Sequence, residues 1–134
     1  MPVQQTSKAT SDSRHQFFGR HLLASYLDCD SQALISSQIC LNVLRKAVLA
    51  TGAHILSDTV HQFPNGAVTA VLLLAESHAS IHTYPEHHSC FIDFFSCGTC
   101  DFESLDAILR EELRPREVIF EIVERGISIN SSNQ

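Results

Sequence analysis

"AVLLLAESHASIHTYPE", residues Ala70–Glu86, joins an apolar run directly to a polar one. The run that ends at Leu74 has the composition of a buried strand. A glutamate, a serine and two histidines then follow, with no glycine or long polar loop to separate them from it. Buried polar groups need hydrogen-bond partners, so a purely structural role would require a partner for each of these side chains. The stretch therefore predicts a core strand with a chemical site at its end.

The composition describes a single globular domain with few basic groups. The chain has 134 residues, of which 44% are hydrophobic and 18% charged, and its formal net charge is −6. Binding to nucleic acid or to an anionic membrane depends on lysine and arginine, so neither partner is expected. We expect one domain over residues 16–127, a disordered segment over 1–15 and a flexible tail over 128–134.

The chain also lacks the signals of export. No apolar run approaches the roughly 20 residues that a membrane-spanning helix requires, and residues 1–14 contain no apolar segment of the signal-peptide type. We therefore expect a cytoplasmic protein. Its cysteines are odd in number, five in all, and in that compartment free thiols are expected rather than a disulfide framework.

Helical periodicity predicts two amphipathic helices. The first spans Gln32–Thr51 and ends at Gly52, a natural helix stop. The second is capped by Asp101 and ended by Pro115. The residues expected to face the core are Ile35, Ile39, Val43 and Ala47 in one row of the first helix, Cys40, Leu44 and Val48 in the next row, and Leu105, Ile108, Leu109 and Leu113 in the second helix.

Five segments read as strands. A turn signal at 64–66 makes the second and third strands an antiparallel hairpin. The order β-α-β-β-β-α-β predicts an α+β fold: a two-layer sandwich of a mainly antiparallel sheet with two helices on one face. The five segments are 17–27, 53–63, 67–75, 89–95 and 117–126.

Three kinds of site deserve comparison around the polar stretch. A zinc site would use several of the histidines and cysteines between 78 and 100, but the chain has one C-x-x-C, Cys97–Cys100, and no second ligand pair at zinc spacing. A redox pair at the same two cysteines lacks the expected β-α-β surroundings. Hydrolysis by Ser77 with a histidine base lacks the G-x-S-x-G elbow. A surface or core role for His78 and His82 is the remaining alternative.

Self-processing accounts for the whole set. A serine hydroxyl beside a strained peptide bond can attack the preceding carbonyl, and the resulting ester can undergo β-elimination if a base removes the serine α-proton. The chain would be cut between Glu76 and Ser77, leaving Ser77 as an N-terminal pyruvoyl group. Such a ketone is an electron sink that forms a Schiff base with a substrate amine, as pyridoxal phosphate does. It suits amino-acid decarboxylation in a chain with no cofactor-binding motif.

The sequence resembles the bacterial and archaeal S-adenosylmethionine decarboxylase proenzymes over about Phe18–Gly126. The central part of the resemblance is a Glu-Ser-His start, a histidine five residues after the serine and a Cys-Gly twenty residues after it. The motifs that carry it are "GRHLL" (Gly19–Leu23), "CD" (Cys29–Asp30), "ESHASIHTYPE" (Glu76–Glu86), "DFFSCG" (Asp93–Gly98) and "ERG" (Glu124–Gly126).

The resemblance implies roles for the matching residues. Ser77 would be the pyruvoyl precursor, His82 the base that removes the α-proton, and Cys97 the acid that reprotonates the substrate carbon. Thr69 stands where the family usually has serine and would assist processing. The residues implied for substrate binding are Phe63 and Tyr84, which flank the adenine ring, and Glu86, which lies near the ribose.

The resemblance also implies an assembly and a product. The family is typically a homodimer of cleaved protomers, here a β chain of residues 1–76 and an α chain of 77–134, with active sites near the interface. The product would be the aminopropyl donor for spermidine synthesis.

Several residues depart from the family near the expected substrate pocket, among them Phe91 and the pair His87–His88. They leave two alternatives open: decarboxylation of L-ornithine or L-arginine to putrescine or agmatine, and a non-catalytic partner of another decarboxylase. The intact Ser77, His82 and Cys97 argue against the second.

Overall fold

A computed structural model describes residues 17–97 and 99–126, so the tails expected at 1–15 and 128–134 lie outside the described residues. The described chain forms β1 (Phe18–Cys29), α1 (Ser37–Leu49), β2 (Ile55–Gln62), β3 (Val68–Leu74), β4 (Ser77–Tyr84), β5 (Ser89–Ser96), α2 (Phe102–Leu113) and β6 (Pro115–Gly126). Short 3₁₀ turns at Gln32–Ile35 and Pro85–His87 precede α1 and β5.

The described strands form one six-stranded sheet in the order β2-β3-β4-β5-β1-β6, and every neighbouring pair is antiparallel. Both helices pack on one face of this sheet, so the predicted α+β two-layer sandwich is confirmed. β1 lies between β5 and β6, so the first strand of the described chain is placed between two strands from its second half. In the described part of the chain, neither helix is long and apolar enough to cross a membrane.

The sheet has one more strand than the sequence predicted, because the polar stretch itself forms β4. Its residues alternate: Ala79, Ile81 and Thr83 are buried, whereas His78 is exposed and His82 half-buried. A strand that is covered on one face alternates in this way. The prediction treated the stretch as a site and so missed that it also belongs to the sheet.

The helices cover only one face of the sheet, and the other face is open in the single chain. The covered face holds the core, which includes Leu22, Tyr26, Leu72, Ile81 and Phe94, all nearly fully buried. The open face carries large apolar side chains that remain exposed: Leu23, Leu73, Phe91, Ile119 and Val123.

The first predicted helix is divided at Ser36. This residue is extended, and its Oγ accepts a hydrogen bond from the Ile39 N–H at 3.2 Å, so it caps α1 at residue 37. The 3₁₀ turn lies before it. The division turns Ile35 and Ile39 outward, with 52% and 45% of their surfaces exposed. The prediction that these two isoleucines face the core was wrong; the rest of the two rows is buried.

The second helix follows the prediction more closely. The Asp101 side chain accepts hydrogen bonds from the N–H groups of Glu103 and Ser104, and α2 ends before Pro115, which begins β6. Of the expected inner residues, the three leucines are buried and Ile108 is partly buried. Helix capping and the proline stop were therefore read correctly from local sequence.

Candidate active site

Ser77 is the first residue of β4, directly after the chain bends at Ala75–Glu76. It is half-buried and borders a cleft of about 670 Å³, a size typical of ligand sites. The Ser77 Oγ lies 3.0 Å from Nδ1 of His78. The cleft is lined by the ends of β1, β4, β5 and β6, and its lining residues include Phe18, Gly19, Glu76, Ser77, His78, Phe95, Cys97 and Arg125.

The carbonyl group between Glu76 and Ser77 is held by two donors of one residue. The Cys97 N–H donates to the Glu76 carbonyl oxygen at 3.3 Å, and the Cys97 Sγ lies 3.2 Å from the same oxygen. Donors placed in this way stabilise negative charge on a carbonyl oxygen that is under nucleophilic attack. The arrangement therefore suits attack on the Glu76 carbonyl carbon.

The Glu76 carboxylate is held separately by His54, on the segment before β2. The His54 N–H donates to Oε1 at 3.0 Å, and His54 Nδ1 lies 2.7 Å from Oε2. Burial raises the pKa of the Glu76 carboxyl group, but the hydrogen bonds from His54 outweigh it and leave the pKa below its ordinary value. Glu76 is thus fixed at both its carbonyl oxygen and its side chain.

A second pocket, of about 430 Å³, lies at the other end of β4. Its aromatic wall is formed by Phe63, His82 and Tyr84, with ring centroids 6.2 Å apart for Phe63 and His82 and 4.8 Å apart for His82 and Tyr84. Glu86 lines the same pocket, and the Thr69 hydroxyl is hydrogen-bonded to Nδ1 of His82. The structure therefore brings the expected substrate-binding residues together with His82.

The structure does not bring His82 to Ser77 within one chain. In a regular strand, Ser77 and His82 would point to opposite faces because they are five residues apart, so a site shared by both needs a bend or bulge near Ser77. The bend exists at 75–76, but β4 then keeps an unbroken register from Ser77 to Tyr84 against β5. Ser77, Glu76 and Cys97 line the first cleft. The other expected site residues that line a pocket line the second one, and Thr69 is hydrogen-bonded to His82 there. The expected site is divided into two halves.

The described residues give no support to a metal site, and the two cysteines of the C-x-x-C have different surroundings. Cys97 is exposed at the first cleft, whereas Cys100 is buried, with its Sγ 3.1 Å from the Ser96 Oγ. Among residues 17–97 and 99–126, no three histidine, cysteine, aspartate or glutamate side chains are grouped as metal ligands.

Phe91, one of the residues that depart from the family, approaches the second pocket, with its ring 5.3 Å from that of Tyr84. His87 and His88 are exposed and are absent from the lining of that pocket.

Two residues beside the scissile bond, His78 of the first cleft and His54, which contacts Glu76, had no role assigned from the sequence. His78 was visible as the neighbour of Ser77, and that adjacency was the available signal. His54 gave no signal, since it lies 22 residues before Glu76 and meets it only because β2 and β3 pair.

The fold is an antiparallel α+β sandwich, and the peptide bond before Ser77 is held at its carbonyl oxygen beside a cleft. This arrangement suits the class of proteins that cut their own chain at a serine. A family model described as S-adenosylmethionine decarboxylase matches residues 20–126. The chain belongs to the S-adenosylmethionine decarboxylase family.

Two curated relatives and one solved structure illustrate the similarity. The S-adenosylmethionine decarboxylase proenzyme of Thermotoga petrophila is 36% identical over 110 residues, covering 81% of this chain and 84% of that protein. The proenzyme of a Thermoanaerobacter species, strain X514, is 33% identical over 111 residues, covering 81% and 89%. The crystal structure of the adenosylmethionine decarboxylase from Aquifex aeolicus VF5 superposes with a TM-score of 0.76 at 31% identity, covering 88% of this chain and 98% of that one.

Proposed function

We propose that this chain is a proenzyme that cuts itself between Glu76 and Ser77 and then decarboxylates S-adenosylmethionine. The observation that carries the proposal is the pair of contacts from the Cys97 N–H and Sγ to the Glu76 carbonyl oxygen. These contacts lie at the wall of a cleft large enough for a substrate. The names of the relatives support S-adenosylmethionine as the substrate. They lend no support to the ornithine or arginine alternative.

In the processing reaction, Ser77 would supply the attacking hydroxyl, and Cys97 would stabilise the charge that develops on the Glu76 oxygen. His82 would then remove the α-proton of the ester. Its hydrogen bond to Thr69 supports this role, because it fixes the orientation of the ring. The threonine thus takes the place of the serine that the family usually has.

The residues around position 77 fit a pyruvoyl group, since Ser77 borders the open cleft and an exposed thiol lies beside its peptide. When formed, this group supplies an electron sink for the carbon that loses carbon dioxide. Cys97 would donate the proton that this carbon then needs. Phe63 and Tyr84 would stack on the adenine ring, and Glu86 would accept hydrogen bonds from the ribose hydroxyls.

The division of the site supports a homodimer of cleaved protomers. His82 and the aromatic pocket are too far along β4 to serve Ser77 of the same chain. The exposed apolar side chains of the open face favour association, because burying them removes apolar surface from water. In a symmetric dimer, the first cleft of one protomer would be completed by the second pocket of its partner.

The proposal is tested by intact-mass spectrometry together with carbon dioxide release. We expect the purified protein to separate into two fragments, residues 1–76 and 77–134, under denaturing conditions, and to release carbon dioxide from S-adenosylmethionine. Ornithine and arginine, assayed side by side, should release none.

The matched variant is Ser77→Ala, which should remain a single inactive chain. Normal cleavage of this variant would move the scissile bond elsewhere. An intact wild-type chain, or turnover of ornithine or arginine in place of S-adenosylmethionine, would overturn the proposal.

A further inference from the structure

The hydroxyl of Ser77 already has a base beside it within one chain. Nδ1 of His78 lies 3.0 Å from Ser77 Oγ, a hydrogen-bond distance. Among the residues that the structure describes, His78 is the one titratable side chain in hydrogen-bond contact with this hydroxyl. His82, the other histidine of the polar stretch, is bonded to Thr69 in the second pocket.

We propose that His78 is the general base of the first step of self-cleavage, the transfer of the Glu76 acyl group from nitrogen to oxygen. The inference rests on the proposed function, since it concerns the same scissile bond. It assigns each histidine to one step. His78 acts in the acyl transfer, and His82 acts in the later elimination.

The step balances without any further reactant. Neutral His78 accepts the Ser77 hydroxyl proton at Nδ1 as Oγ attacks the Glu76 carbonyl carbon, and the negative charge develops on the oxygen that Cys97 holds. The carbon–nitrogen bond then breaks, and the departing nitrogen takes the proton back from His78. The product is an isomer of the starting chain, with an ester at Ser77 Oγ and a free Ser77 amine.

The ring of His78 has a defined neighbour on the open face. His78 pairs with Phe95 across β4 and β5, and the two ring centroids are 6.2 Å apart. Phe95 is itself packed against Gly19, where a Cβ would lie 2.5 Å from the end of the ring, and under Arg125, whose guanidinium carbon is 5.1 Å from its centroid. Gly19, Phe95 and Arg125 thus form a support for His78 beside the scissile bond.

Hydroxylamine isolates the first step, because it cleaves the ester formed at Ser77. It also cleaves Asn–Gly peptide bonds, and the chain has one at Asn65–Gly66. Chains cut only there are recognised by their mass and are counted with the full-length chain. We would synthesise the full chain in a cell-free system, with hydroxylamine present from the start. The fraction of full-length chain is then followed by mass spectrometry. Each molecule that forms the ester is cut at once, so the loss of full-length chain measures the acyl transfer alone, whatever the rate of elimination.

Substituting His78→Gln keeps a hydrogen-bonding side chain but removes the base. Since general bases contribute roughly 10²–10⁴-fold, we expect the loss of full-length chain to slow at least about 100-fold. The control is His87→Gln, which removes an exposed histidine outside both site pockets and should leave the rate unchanged. Wild-type rates in His78→Gln would overturn the inference.

A second variant separates the loss of a base from a loss of folding. His78→Ala leaves space for free imidazole, which should restore the acyl transfer in proportion to its concentration. A variant that is slow and folded by circular dichroism, yet is not rescued by imidazole, would also contradict the role of base. Failure of the proposed function looks different, since the wild-type chain would then resist hydroxylamine as completely as Ser77→Ala.

Discussion

In the proposed function, Cys97 takes part in both self-cleavage and decarboxylation. Its backbone N–H and its Sγ both approach the Glu76 oxygen, and only the Sγ depends on the side chain. A substitution therefore removes one of the two donors and spares the other. Cleavage and turnover should respond to Cys97 variants to different extents.

We predict that Cys97→Ala cleaves itself about tenfold more slowly than wild type. The thiol is a weak donor, so its loss should cost less than the roughly 10²–10³-fold seen for a strong oxyanion donor. Decarboxylation by the cleaved variant should be lost, or should end in faulty protonation that transaminates the pyruvoyl group. Time courses of fragment formation and of carbon dioxide release measure the two effects.

The Cys97→Ser variant is the matched control, because its hydroxyl can still donate to the Glu76 oxygen. It should cleave close to the wild-type rate while turning over more slowly, since a hydroxyl is a poorer proton donor than a thiol. Unchanged turnover in both variants would remove Cys97 from the decarboxylation step.

His54 should matter for cleavage although it lies outside the sequence motifs. Substituting His54→Ala removes the ring contact to Glu76 and keeps the backbone N–H contact, so we predict cleavage slowed several-fold. The pKa of Glu76 is lowered in the folded chain. Its ionised carboxylate therefore contributes fully to the free energy of folding at neutral pH, and this contribution is lost as the pH falls through the lowered pKa. Cleavage kinetics by mass spectrometry provide the measurement.

The control for His54 is Arg45→Ala, which breaks the exposed ion pair with Asp58 at 3.1 Å, on the same edge of the sheet. This pair does not contact Glu76, so cleavage should proceed at the wild-type rate. Equal cleavage rates for His54→Ala and Arg45→Ala would show that self-cleavage does not need the contact between the His54 ring and the Glu76 carboxylate.

At the scale of elements, the sequence predicted what depends on local chemistry. Asp101, Pro115 and the turn at 64–66 act within a few residues, so their effects could be read directly. Ser36 divides the first helix because its side chain caps α1. The continuous apolar row predicted a single helix, and the cap overrides that row. β4 was not predicted because half of its residues face the open side of the sheet. These residues are polar or aromatic and were interpreted as parts of a site rather than of a strand.

The sequence did not predict that the expected site residues lie in two separate pockets. Ser77 and Cys97 line the first cleft and His82 lines the second pocket, and their catalytic roles stay a prediction. Period-two alternation indicated that Ser77 and His82 face apart, and the regular register of β4 confirms it. In the proposed dimer the halves would meet through a second chain, and no spacing within one sequence encodes such a contact.

The contact between β1 and α2 gives a prediction about stability. Tyr26 is fully buried and its hydroxyl donates to Asp106 Oδ1 at 2.6 Å; burial, with this carboxylate, raises the pKa of the phenol far above its ordinary value. Tyr26→Phe should lower the free energy of unfolding by about 1.5–3 kcal/mol, the usual value for a hydrogen bond to a charged group. Urea titration of the uncut Ser77→Ala chain measures it.

The control for Tyr26 is Tyr84→Phe in the same uncut chain. Tyr84 is 37% exposed, and no hydrogen bond of its hydroxyl is found among the described residues. Its loss should leave the urea midpoint within experimental error. A similar decrease in the urea midpoint of both variants would mean that the hydrogen bond to Asp106 does not stabilise the fold.

At the scale of the whole molecule, a composite site predicts that two inactive variants rescue one another. In a mixed dimer of Cys97→Ala and His82→Ala, one site carries both lesions and the other carries neither. Statistical pairing then leaves about a quarter of the sites intact. Co-expression, with a tag on the His82→Ala chain, should restore about that share of activity and should cut the tagged chain.

Each variant expressed alone is the control for this experiment. His82→Ala should remain uncut as a homodimer, because its only partner carries the same lesion. If the tagged chain stays intact after co-expression, the two pockets do not complete each other across a dimer.

The place of β1 between β5 and β6 has a thermodynamic consequence for the mature protein. A cut at 76–77 would leave β1 to β3 on one fragment and β4 to β6 on the other, so each fragment depends on the other for its sheet neighbours. Folding of one protomer would change from a unimolecular reaction of one chain to a bimolecular association of two fragments. Recovery after denaturation should then depend on concentration for the cut protein more steeply than for Ser77→Ala. Maturation would thus raise the number of chains that must meet for one protomer to fold.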